Sequence, residues 1–350
     1  MGTRRGVFVL MCAMALGSIA LVAQKGDQQK ASPRKLSDAQ KKDMQAVVKA
    51  VDDAVAGQQP PNDLVLTWVH EDLLKAQSNK QYVPFSIKID ASKVAAPSLS
   101  LYWRVMDKAA APPPAATGKK DDKKESSKKP EFTFEDFGTL QSTAAQNRIS
   151  RAFMAAAGDY DVWVVVKEST PDKAPKNAPA SKISVLKHSI TIPDFWNGEL
   201  NTSVIVAQRI DPLPAPLTQE QQVERPYALG AIEIIPAVET RFSKMSELSM
   251  FVLVYNAKSD SANRPDVVIE YNFYAKQAGA EKFFNKTSPQ NLNAQTLPPQ
   301  FDAAAGLLQS GQAVPLSSFP EGDYRLEIKI TDKIANKSLT RDVNFTVTSS

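Results

Sequence analysis

The chain has 350 residues, enough for two domains with separate cores, and its 43% hydrophobic and 23% charged residues are ordinary globular values. Lysine and arginine number 42 against 38 aspartates and glutamates, and two of the basic residues, Arg4 and Arg5, fall in a leader-like start. That balance is too even for general nucleic-acid affinity, and one cysteine with two histidines argues against a His/Cys zinc site.

Residues 1–23 read as an export signal, with Arg4 and Arg5 at the positive end, an apolar run over 7–16 and small residues after it. The run is too short for a membrane span. Cys12 lies inside it, so removal of the leader leaves a chain with no cysteine and no transmembrane segment. Such a chain suits an oxidising extracytoplasmic compartment, whether periplasmic, outer-membrane associated or secreted. Residues 24–35 are polar and read as disordered. Over 36–57 an amphipathic helix is expected. Ser37 to Gln40 form a capping box, and Met44, Val47, Val48, Val51 and Val55 make one apolar stripe to lay on the first domain.

The first domain is expected over 62–199, with strands at 64–69, 82–90, 98–106, 131–137, 148–155, 159–167 and 182–192. Val83, Phe85, Ile87 and Ile89 alternate with other residues, as do Leu99, Leu101, Trp103 and Val105, which is the two-residue period of a half-buried strand. Trp163 and Val165 fall on the outer face of their strand and need a cover, which the helix supplies. The insertion 109–130 opens on Pro112, Pro113 and Pro114 and continues into a lysine-rich run with no large apolar residue to bury, so a mobile loop is expected.

Residues 200–226 read as a linker, with a strand at 203–207 that can belong to either domain and then a proline-rich connection. The second domain is expected over 227–348, with strands at 228–235, 248–256, 267–275 and 281–285 and a closing hairpin. The 248–256 strand is apolar on both faces, so it is either the most buried strand or faces a neighbour. Residues 288–313 are rich in Gln, Asn, Pro and Ala and read as an irregular excursion.

Gly158-Asp-Tyr160 and Gly322-Asp-Tyr324 each open an alternating strand that is followed by a returning one. This resembles the start of strand F in immunoglobulin and fibronectin type III sandwiches, where a tyrosine hydroxyl bonds back to nearby backbone. Tyr160 and Tyr324 match that tyrosine, and Trp103 matches the core tryptophan of strand C; the paired cysteines are absent. Residues 200–348 further resemble the C-terminal module of bacterial envelope proteins named for a GWxTD motif. The matching parts are 203–207, Leu229 to Pro236, 248–256 and Gly322 to Val347, and the motif itself is missing. The resemblance implies an all-β chain of two immunoglobulin-like β-sandwich domains in tandem, with an N-terminal α-helix and a cleaved signal peptide. It implies an extracytoplasmic address and carries no activity.

Chemistry is sparsely signalled. His70-Glu71-Asp72-Leu73-Leu74 lacks the second histidine of a zinc helix, no G-x-S-x-G flanks a serine, and no glycine-rich phosphate loop occurs. Glu135 and Asp136 are neighbours on a strand and point to opposite faces. Asp260, Asn263 and Asp266 carry oxygen ligands, but their spacing misses a calcium loop and reads as a hydrated turn. Phe195, Trp196, Tyr274, Phe283 and Phe284 are the candidate binding surface, a platform for a sugar ring or a protein hot spot, with core packing as the alternative. The expectation is a non-enzymatic exported protein with no catalytic residue, cofactor or metal. Its partner would be another envelope protein met through sheet edges or these aromatics. A glycan-binding module is the alternative.

Overall fold

The computed structural model describes residues 36–109, 132–142, 148–171, 180–277, 279–298, 301 and 306–349. The expected leader, the polar stretch 24–35 and all but the first residue of the insertion lie outside the described residues.

Helix α1 (Asp38–Val55) comes first. Eight strands follow: β1 (Leu66–Glu71), β2 (Leu74–Lys75), β3 (Gln81–Ile89), β4 (Ser98–Asp107), β5 (Phe134–Gln141), β6 (Arg148–Ala155), β7 (Gly158–Glu168) and β8 (Ile183–Ile192). Then come β9 (Asn201–Pro212), helix α2 (Gln219–Glu224), β10 (Ala228–Leu229), β11 (Ile232–Pro236), β12 (Arg241–Ser243) and β13 (Glu247–Tyr255). The chain closes with β14 (Val267–Gln277), β15 (Ala280–Lys286), β16 (Gln290–Leu292), β17 (Leu307–Pro315), β18 (Gly322–Asp332) and β19 (Lys337–Thr348). The class is all-β.

Four sheets stack face to face. Sheet I joins β1, β2 and β6 to β3, and sheet II runs β5-β4-β7-β8. Between them lies a core of alternating inward residues, among them Val83, Phe85 and Ile87 from sheet I and Leu101, Trp103 and Val164 from sheet II. Sheet III runs β10-β11-β9-β13-β17 and sheet IV runs β12-β19-β18-β14-β15, with β16 also on β14. Their shared core includes Met250, Val252 and Val254 against Ile269, Tyr271, Leu326 and Ile328.

Two further apolar layers lie outside these cores, one under α1 and one joining the two pairs. Helix α1 lies on the outer face of sheet II, where Val47 and Val51, both wholly buried, meet Tyr102, Trp163, Val165 and Val185. Each valine side chain so buried contributes on the order of 1.5–3 kcal/mol. The outer face of sheet III packs on sheet I: Phe251, Leu253 and Tyr255 share a cluster with Leu74, Phe195 and Tyr227, with Leu73 and Tyr82 at its margin. This explains the double-faced 248–256 strand. Its even residues fill the III–IV core and its odd residues fill the junction.

Two sequence expectations change. The linker strand over 203–207 is the middle of the twelve-residue β9, which pairs with β11 and β13 and is thus a central strand of sheet III. The stretch 288–313 is not irregular throughout, because β16 and β17 lie in it, and β17 matches β13 across nine registered pairs from Pro315 to Leu307. Of its side chains only Leu308 and Val314 are buried, so an edge strand with Gly, Ser and Gln between two anchors leaves little hydrophobic period to read.

Candidate functional site

The five candidate aromatics do not converge. Phe195 is buried in the junction cluster, 5.0 Å from the Tyr255 ring. Trp196 stays 38% exposed; its indole nitrogen donates to the Lys80 carbonyl and the Lys75 ammonium sits 4.3 Å from its ring centre. Burial lowers the Lys75 pKa, against the opposing charge of Asp194. Phe284 packs inward on Phe319 and Tyr324. Tyr274 and Phe283 remain together on the outer face of sheet IV. Neighbouring phenylalanines on β15 part in this way because successive side chains take opposite faces.

That outer face carries an ordered row. Phe283 of β15 lies opposite Tyr274 of β14, Tyr274 opposite Arg325 of β18, and Arg325 opposite Asn344 of β19. The two rings stand edge to face at 5.9 Å and 82°. The Arg325 guanidinium lies 4.4 Å from the Tyr274 ring centre and donates to Glu281 at 2.8 Å and Asp342 at 2.7 Å. Burial opposes its charge, but Glu281, Asp342 and Glu327 outweigh that and raise its pKa. Phe283 is 52% exposed. Among the described residues no element packs over this face, whereas α1 covers the apolar outer surface of sheet II and the junction covers those of sheets I and III. Sequence reading missed Arg325. The available signal was its outward parity on the alternating strand 322–332.

The junction holds the second group. His70 is here, 2.7 Å from an Asp72 oxygen and beside the Tyr227 ring, whereas His188 stacks on Trp68 at 4.2 Å at the margin of the sheet I–II core. The Trp68 indole donates to Glu71 at 2.5 Å. Hydrogen bonds cross between the halves. Tyr82 donates to the Pro226 carbonyl at 2.9 Å, Lys75 to the Asn256 side chain at 2.6 Å, and Ser203 to the Leu73 carbonyl. Burial drives the Tyr82, Tyr227 and Tyr255 hydroxyls far above their ordinary pKa, so they act here as neutral donors. Among the described residues no serine hydroxyl bonds either histidine, and no three His, Cys, Asp or Glu side chains are arranged to hold a metal ion.

The remaining sequence candidates take structural positions. Trp103 is buried and donates to the Ala152 carbonyl at 3.2 Å. Tyr324 donates to the Pro320 carbonyl at 2.8 Å, four residues back, while Tyr160 is buried as a residue but its hydroxyl makes no such bond back to the chain among the described residues. Glu135 pairs in register with Arg104 and Asp136 with Trp103, which places them on opposite faces. Asp260 accepts from Ala262 and Arg264 backbone within its own turn, and Asp266 faces Lys333. No described helix is long and apolar enough to cross a membrane.

No family model and no curated protein matches the chain. Among solved structures, it is similar to trypsin activated alpha-2-macroglobulin from Escherichia coli, with TM-score 0.22, 11% identity, and 83% of this chain covered against 17% of that one. Dimeric latent PorU from Porphyromonas gingivalis gives TM-score 0.29 and 10% identity, covering 85% of this chain and 21% of that one. A Salmonella alpha-2-macroglobulin variant gives TM-score 0.21 and 10% identity over 84% and 17%. The chain spans about a fifth of the length of these structures or less, and similarity this low leaves the site to be read from its own residues.

Proposed function

We propose that the chain is a non-catalytic, extracytoplasmic interaction module of the cell envelope. Two immunoglobulin-like sandwiches are held at one angle by their buried junction, and the outer face of sheet IV meets a protein partner. The observation that carries this reading is the row Phe283, Tyr274 and Arg325 on a sheet face that no described element covers, with Phe283 52% exposed. Aromatic and arginine side chains of this kind dominate protein-binding hot spots. The edge-to-face rings, at 82°, do not form the flat platform on which a sugar ring stacks, which favours a protein over a glycan. The immunoglobulin-like assignment draws support from the Tyr324 bond to Pro320 and from the buried Trp103. The leader-like residues 1–23 support the address.

The test is co-purification from native envelope extract with the wild-type chain, Phe283→Ala and Trp196→Ala. A stoichiometric protein retained by wild type and Trp196→Ala but lost with Phe283→Ala is the expected result. Recovery of glycan without protein, or equal retention by all three, contradicts it.

A further inference from the structure

A cleft of about 380 Å³ opens where the two halves meet. Two of its walls are strand edges. Strand β9 gains β11 only from Ala207 onward, and β19 gains β12 only from Thr346 onward. On that side, residues 201–205 and 337–345 have no strand beside them among the described residues. The third wall is the Glu71–Leu73 segment of the first half, and Phe195, Val204 and Val343 give the cleft an apolar lining. Clefts between halves of a chain are common ligand sites.

The β19 wall carries Arg341 and Asp342, the latter neutralised by Arg325, and the facing wall carries Glu71 and Asp72. Arg341 lines the cleft from β19, and its guanidinium bonds only neutral acceptors, the Thr340 carbonyl at 3.2 Å and the Asn201 side-chain oxygen at 3.0 Å. Among the described residues it has no carboxylate partner. Across the cleft, Glu71 and Asp72 are held in place by Trp68 and His70.

We infer that the cleft takes the C-terminal end of an extended peptide. Its terminal carboxylate would meet Arg341, a basic side chain near the terminus would meet Glu71 and Asp72, and its backbone would lie along the open strand edges. Each part answers a feature of the site. Guanidinium is the natural fork for a carboxylate, open edges accept an extended backbone, and the acidic wall selects a cation at close range. The site meets the outer face of sheet IV only at Asp342, the lining residue whose carboxylate Arg325 holds, and Phe283 and Tyr274 take no part in it.

The experiment is fluorescence anisotropy of the full chain with labelled hexapeptides, randomised over their last residues and made with either a free or an amidated C-terminus. The expected result is binding by free-acid peptides carrying Lys or Arg near the end. Amidation weakens it about tenfold, which is the loss of one charge-assisted contact. Arg341→Gln weakens it to the same degree, and amidation then has no further effect. Because Arg341 is exposed, this variant keeps the fold. Phe283→Ala leaves peptide binding unchanged, which separates this site from the sheet IV partner surface. The inference is overturned if no peptide binds at millimolar concentration, if free-acid and amidated peptides bind alike, or if Arg341→Gln has no effect.

Discussion

Helix α1 is held by more than its apolar stripe. Asp43 is 1% exposed and its carboxylate takes four hydrogen bonds: from the Lys167 ammonium at 2.6 Å, the Thr170 amide at 2.8 Å, the Thr170 hydroxyl at 2.7 Å and the Ser100 hydroxyl at 3.1 Å. Lys167 is itself buried, so Asp43→Ala leaves an ammonium without its counter-charge. Breaking a buried pair from one side costs about 3–5 kcal/mol, and Lys167→Met is expected to cost a similar amount. In Asp43→Ala/Lys167→Met no lone charge remains. The double variant should therefore be less destabilised than the sum of the singles by at least ~2 kcal/mol. Urea unfolding followed by intrinsic fluorescence, with Trp163 beneath the helix, reads all four proteins. Acid adds a second readout. Burial alone would raise the Asp43 pKa, but the Lys167 and Thr170 hydrogen bonds outweigh it and hold the folded value below the ordinary 3.8. The stability from Asp43 is therefore full above that ordinary value and is lost as pH falls through the lower folded value. Asp43→Ala should flatten this acid limb. Additive single effects, or a cost below about 1 kcal/mol for Asp43→Ala, would refute the buried-pair reasoning.

Val65 has φ 51° and is 44% exposed, a left-handed conformation that a β-branched residue resists. Val65→Asn should raise the urea midpoint by the equivalent of about 1 kcal/mol, and a lowered midpoint counts against strain there. Tyr324→Phe should cost about 1 kcal/mol through its bond to Pro320, while Tyr160→Phe should be near neutral for want of a protein partner; equal effects would contradict the assignment. Leu74 is wholly buried in the junction, so Leu74→Asp should turn one calorimetric transition into two as the halves uncouple. A single transition retained with an unchanged midpoint would mean that the junction contributes little.

Strands with an alternating apolar period were the most legible part of the chain. The alternation of Val83, Phe85, Ile87 and Ile89 becomes β3, and that of Tyr324, Leu326, Ile328 and Ile330 becomes β18 with the same residues inward. The capping box at Ser37 and the stripe through Val47 and Val51 mark α1 within two residues at each end. What escaped were elements whose order comes from neighbours rather than period. β17 is positioned by nine pairs with β13, and β12 is a three-residue strand laid parallel to β19. The extension of β9 through Pro212 depends on β11, which no local pattern announces. The candidate aromatics were recognisable by type but not by place. Phe283 and Phe284 read alike in sequence, and only strand pairing sends one outward and the other into the core. Arg341 and Arg325 were invisible as sites because arginines on alternating strands ordinarily mark a solvated face.

The central claim, a partner surface on the outer face of sheet IV, is tested most directly by site-specific photo-crosslinking in intact cells. A benzophenone side chain would replace Phe283 and, as a control, exposed Gln58. The account predicts one discrete crosslinked species from position 283, abolished by Tyr274→Ala, with none from position 58. No crosslink at position 283, or the same product from both positions, would contradict it.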